Sequence, residues 1–124
     1  LAARRAANRA SDSMRRELLQ VADAIAGLAP GQGESRELMR YDLMVHRLIY
    51  KAAANPHLES TLIRYDNLAT RIWCVVLDKV PSVTGHITEH VDLLKAVAAG
   101  DADKAGELAL HHVTSFEETI RKVL

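Results

Sequence analysis

Apolar residues recur every three or four positions almost from one end of this 124-residue sequence to the other. No stretch alternates apolar with polar as a half-buried strand must. That period commits the chain to helices that each bury one stripe, and the short breakers between them make neighbouring helices fold back on one another. The expected fold is all-α, an antiparallel bundle of about six helices forming a single domain over residues 1–124. Apolar residues make up 48% of the chain and charged residues 26%, ordinary globular usage that can furnish one core.

The breakers set the boundaries. A short first helix reaches about Asn8, and Ser11, whose hydroxyl can accept from orphan amides, caps a second that reaches about Leu28. Pro30-Gly31-Gln32-Gly33 then forces a loop. The third helix begins near Ser35 and ends at about Ala54. Asn55-Pro56 opens the fourth, with Asn as the cap and Pro where the missing amide would be orphaned anyway; it runs to Lys79 and stops at Pro81. Ser82 to about Ala99 forms the fifth, Gly100 ends it, and Asp101 caps a sixth that continues almost to Leu124. The sequence starts inside a helix and without an initiator methionine, as a fragment of a longer protein would.

Formal net charge is zero, so the overall balance lacks the electrostatic footprint of a nucleic-acid-binding domain. Arg4, Arg5, Arg9, Arg15 and Arg16 cluster near the start and read as a solvated helix face. No apolar run approaches the roughly 20 residues that span a bilayer, and no charged-then-apolar leader is present. A cytoplasmic protein without a membrane partner is expected. The single cysteine, Cys74, sits beside Ile72, Val75 and Val76 and reads as a buried, inert thiol.

Four polar residues interrupt the apolar stripes. On the third helix Leu38, Asp42, Val45, His46, Ile49 and Ala53 share a face; on the fifth, Val83, Ile87, His90, Leu94 and Val97; on the sixth, Ala105, Leu108, Ala109, His112, Phe116 and Ile120. An unpartnered buried polar group costs roughly 1–3 kcal/mol, so these side chains need one another or something else. His90 and His112 stand about equally far from the Gly100-Asp101 turn, at the same level of the hairpin. Asp42 and His46, one turn apart, can reach a common point between helices. One carboxylate and three imidazoles in a bundle interior suit a divalent cation, zinc first, with nickel, manganese or iron as alternatives. Of the other histidines, His57 and His111 are expected on the surface, and His86, a turn before His90, is a further ligand, a donor behind the ligands or a rim residue.

At this point the residues resemble a known family. Asp42-Leu43-Met44-Val45-His46, followed by Ala52-Ala53-Ala54-Asn55-Pro56-His57-Leu58, is similar to the signature of the FCD domain, the C-terminal domain of FadR-type GntR transcription regulators. The segment from Glu89-His90 through Leu93-Leu94, Ala96 and Gly100-Asp101 to Ala105, with His112 beyond, resembles the rest of that pattern. The resemblance implies a six- or seven-helix bundle in which Asp42, His46, His90 and His112 bind a divalent metal and a small organic acid occupies its open positions. It also implies a homodimer and DNA contact only through a separate N-terminal winged helix-turn-helix domain, absent from this chain, along with the first helix of the FCD domain itself. Val45 stands where the family has Phe, and His86 and His111 are additions. By the same logic a basic residue pairs with the effector, and Arg71 is the nominee, with His86 as a second ligand-binding candidate. Two other readings stand beside this one. A metal-dependent hydrolase would need a general base, and Glu89 lies about 100° round the helix from His90. A purely structural bundle would leave the four polar groups hydrogen-bonded to one another.

Overall fold

The computed structural model describes residues 1–28, 35–79 and 84–124. They form six α-helices: α1 Ala2–Arg9, α2 Asp12–Ala26, α3 Ser35–Ala52, α4 Pro56–Val76, α5 Thr84–Ala98 and α6 Ala102–Val123, with a 3-10 turn at Leu77–Lys79 extending α4. No strand occurs among the described residues. The chain is an all-α bundle, as its periodicity requires. The expected loop at Pro30–Gly33, the stop at Pro81 and the inward Val83 lie outside the described residues.

Local chemistry fixes the helix ends. The Ser11 hydroxyl accepts from the Met14 amide at 3.2 Å, Asn55 Oδ1 from the Leu58 amide at 3.1 Å and Asp101 Oδ1 from the Lys104 amide at 3.2 Å. Gly100 adopts a φ of 77°, which lets the Asp101 amide donate to the Ala96 carbonyl and the Gly100 amide to Val97, closing the last turn of α5. Because only a tight turn joins α5 to α6 and the two pack together, they form an antiparallel hairpin.

Within the bundle α5 is central, touching α1, α2, α3 and α6. The core is built from Leu18, Ala22 and Ile25 of α2, Val45 and Ile49 of α3, Ile87, Leu94 and Val97 of α5, and Ala105 of α6. On α1 the buried positions are all alanine, Ala3, Ala6 and Ala7, which lets this helix lie close against α3, α5 and α6.

The arginine cluster is a correction to its reading as a merely solvated face. Arg15 donates to four carbonyls, those of Ala7, Ala10, Val97 and Ala98, at 2.9–3.1 Å, tying the C-terminal ends of α1 and α5 together. Arg5 donates to the Ala53 carbonyl at 3.0 Å, at the end of α3. These guanidinium groups satisfy helix-end carbonyls, which no charge count could reveal. Arg4 pairs with exposed Asp103.

Among the described elements α4 packs chiefly on α3 and keeps Asp66, Trp73 and Val76 buried. Its outer face shows Tyr65, Leu68, Ile72 and Val75 to solvent. Cys74 is exposed as well, contrary to expectation, because two of the apolar neighbours that made it look buried, Ile72 and Val75, themselves turn outward. No helix of the described residues is long and apolar enough to cross a membrane.

Candidate metal centre

Three helices bring the polar intruders together. α3 carries Asp42 and His46 one turn apart, α5 carries His86 and His90 one turn apart, and α6 brings His112 to the level of His90. One ligand atom from each of Asp42, His46, His90 and His112 lies within 4.8 Å of all the others. Asp42 and His112 are buried, His90 is sealed from solvent, and His46 is partly buried.

The imidazoles surround a single oxygen. Asp42 Oδ1 stands 3.3 Å from His46 Nε2, 3.4 Å from His90 Nε2, 3.5 Å from His86 Nε2 and 3.9 Å from His112 Nε2. These separations are long for charge-assisted hydrogen bonds, and among the described residues Oδ1 has no hydrogen-bond partner of acceptable geometry. Those to His46 and His90 match donors that share an ion, and the one to His112 is wider. Ligand atoms about 2.1 Å from a common cation lie about 3.0 Å apart at a right angle and about 3.4 Å apart at the tetrahedral angle.

Protonation follows from the partners. His112 Nδ1 lies 3.1 Å from Glu89 Oε2, a carboxylate that can only accept, so Nδ1–H donates and Nε2 keeps its lone pair in the neutral ring. His90 Nε2, 2.9 Å from that lone pair, then donates to it, which leaves His90 Nδ1 buried with no partner among the described residues. A cation would accept lone pairs from both Nε2 atoms and the Asp42 oxygen. The residues present therefore fit a metal.

Electrostatics agree. Burial pushes the His90 imidazole down to about 2, reinforced by neighbouring His112, so this ring is neutral. Burial, with the charges of His86 and His46, lowers His112 to about 4 against the opposing bond to Glu89. Burial alone would raise the Asp42 carboxyl, but the adjacent imidazoles of His46, His86 and His90 hold it well below the usual carboxylate range. For His46, burial lowers and Asp42 raises, and the net direction is upward. The neutral imidazoles of His90 and His112 and the ionised Asp42 are in the forms that ligate metal, whereas the raised His46 would give up a proton to join them.

A cavity of 330 Å³ opens beside the cluster, lined by Asp42, His46, His86 and His112 and by Tyr65, Asp66, Thr70 and Trp73 of α4. His86 sits between the two, 3.5 Å from Asp42 and packed on Trp73 with ring centroids 5.1 Å apart. Arg71 is not brought to this place. Five residues beyond inward-facing Asp66, it is turned about 140° round α4, lies exposed, and borders a separate surface depression with Thr61, Arg64 and Asn67. His57 and His111 are exposed, as expected.

Three residues escaped the sequence reading. Glu89, a base candidate by its position, instead orients His112. Tyr50, one turn after His46, places its hydroxyl 3.4 Å from His46 Nδ1, and burial pushes that hydroxyl above its ordinary range. Asp66 is buried in the cavity wall; burial raises its carboxyl, opposed by His46 and Arg47. A signal for Asp66 existed, because it shares the inward face of α4 with Trp73 and Val76, one further polar group on an apolar stripe.

A protein-family model described as the FCD domain matches residues 1–115. No curated protein and no solved structure gives a match.

Proposed function

The chain belongs to the FCD domain family, and from that membership we propose that it is the metal-dependent sensing domain of a bacterial transcription regulator of the GntR type, FadR subfamily. FCD domains are regulatory ligand-binding domains rather than enzymes. In this reading Asp42, His46, His90 and His112 hold one divalent cation, zinc foremost, with nickel, manganese or iron compatible with the same donors. The ion supplies Lewis acidity toward an oxygen ligand. A small organic acid would occupy the cavity beside these residues, with His86 as a donor in its wall.

One observation carries the proposal: a carboxylate and three imidazole nitrogens from three helices lie within 4.8 Å of one another at the wall of a cavity of ligand size. Coupling to DNA requires effector to bind two arrangements of the protein with different affinity. The bare apolar stripe Tyr65, Leu68, Ile72 and Val75 on α4 supports a homodimer as the unit that changes arrangement. DNA is read by a separate N-terminal winged helix-turn-helix domain, and the regulator works in the cytoplasm.

A thermal-shift screen of small organic acids tests the reading. At about 100 times its dissociation constant, an effector adds about 2.7 kcal/mol, a shift of several degrees for a domain of this size. The shift is expected with the metal-loaded protein and not after chelation. An equal shift without metal, or none with it, would overturn the proposal.

A further inference from the structure

The cavity beside the metal centre holds an acid where a base was expected, and this bears on which effectors can enter it. Among the residues lining it, the charged side chains outside the histidines are Asp42 and Asp66, and no lysine or arginine is present. The Asp66 side chain is 6% exposed. Among the described residues its carboxylate has one partner, Arg47 Nε, 3.5 Å from Oδ2 and therefore at the limit of a hydrogen bond. Arg47 itself is 41% exposed and gives its shorter bond, 2.8 Å, to Asn67. The nearby Thr70 hydroxyl donates to the Asp66 main-chain carbonyl at 2.8 Å, so its proton is spent on the backbone. A largely buried carboxylate with one marginal protein partner thus lines the same cavity as the centre that would take an acid group.

Resting on the effector reading above, we propose that the effector is a carboxylate bearing a hydrogen-bond donor, hydroxyl or ammonium, at the end away from its acid group, with that donor bonded to Asp66. A ligand donor would add a partner to a largely buried acceptor whose one protein partner stands at the limit of a hydrogen bond. A second carboxylate on the ligand would instead meet Asp66 as a like charge in a poorly solvated space, so dicarboxylates are disfavoured.

Calorimetric titration of the zinc-loaded protein with γ-hydroxybutyrate, γ-aminobutyrate, butyrate and succinate, each with shorter and longer homologues, tests this. At the best chain length the hydroxy or amino acid is expected to bind on the order of tenfold more tightly than the unsubstituted acid, with the dicarboxylate weakest. Preference for the amino over the hydroxy acid identifies charge pairing; the reverse identifies hydrogen bonding alone. In Asp66→Asn, checked for retained helicity and zinc binding, the amino acid's advantage is lost and the dicarboxylate gains. The wild-type ranking decides the matter even if that variant fails to fold. Butyrate or succinate binding as tightly as the donor-bearing acids, or an unchanged ranking in a folded Asp66→Asn, would overturn the inference while leaving the sensor reading intact. If no acid of any kind binds the metal-loaded protein, the sensor reading itself falls, and this inference with it.

Discussion

Acidifying the metal-free protein from pH 8 to pH 5 is expected to remove several kcal/mol of stability, and the loss is assignable to two side chains. His112 is held down to about 4 and His90 to about 2, whereas both titrate near 6.5 once unfolded. A group whose pKa is depressed by folding contributes stability that is complete above the unfolded value and is lost as pH falls below it. At pH 5, about 1.5 units below 6.5, each ring forfeits about 2 kcal/mol, so the pair costs up to about 4 kcal/mol. Solvent screens little of this, since the His90 and His112 side chains are only 0% and 7% exposed. His46 has the opposite sign: its raised pKa contributes fully below 6.5 and fades as pH rises through the folded value, so on acidification it returns part of what His90 and His112 lose. Asp42, held low, loses its contribution only below about 3.8. Against a typical total of about 5–15 kcal/mol, the change is readily measured. Urea unfolding of chelator-dialysed protein, followed by circular dichroism at constant ionic strength, should give a free energy that falls steadily below pH 6.5. The same fall is expected in His57→Ala and His111→Ala, whose side chains are exposed. A free energy that stays level or rises between pH 6.5 and pH 5 would refute the burial argument for His90 and His112.

Other expectations follow from the same geometry. Asp42→Ala and His112→Ala should each abolish most metal-dependent stabilisation in a thermal melt, because binding to the folded state is linked to folding, while His57→Ala changes nothing. Glu89→Ala is expected to weaken metal binding about 10–100-fold in a competition titration, with Glu89→Gln recovering part of the loss by still accepting from His112. Arg15→Ala should cost about 2–3 kcal/mol in urea unfolding by releasing helix-end carbonyls of α1 and α5, and Arg15→Lys should restore only a fraction, since an ammonium lacks the planar fork.

How much could be read from the sequence divides along a physical line. The caps at Ser11, Asn55 and Asp101 and the positive-φ glycine at position 100 are local, set by residues within a turn, and each stands where the sequence puts it. Asp42, His90 and His112 were legible because a helical period fixes which side a residue faces, and the level of the α5–α6 hairpin fixes what it meets. Contacts between distant segments were not legible. Arg15 to Val97 and Ala98, and Glu89 to His112, depend on how far one helix is rotated against another, and sequence spacing carries no such angle. Cys74 misled for a related reason: apolar neighbours signal burial only when something packs over them, and among the described residues the outer face of α4 is bare. Arg71 was nominated for its charge alone, and its turn round the helix takes it away from the cavity.

The most direct test is an anomalous-scattering map collected from crystals of the zinc-loaded protein. One strong peak, about 2.0–2.2 Å from an Asp42 oxygen and from a ring nitrogen of each of His46, His90 and His112, is the predicted result. A peak bound elsewhere, or no peak while those four side chains contact only one another, would contradict the metal-centred account.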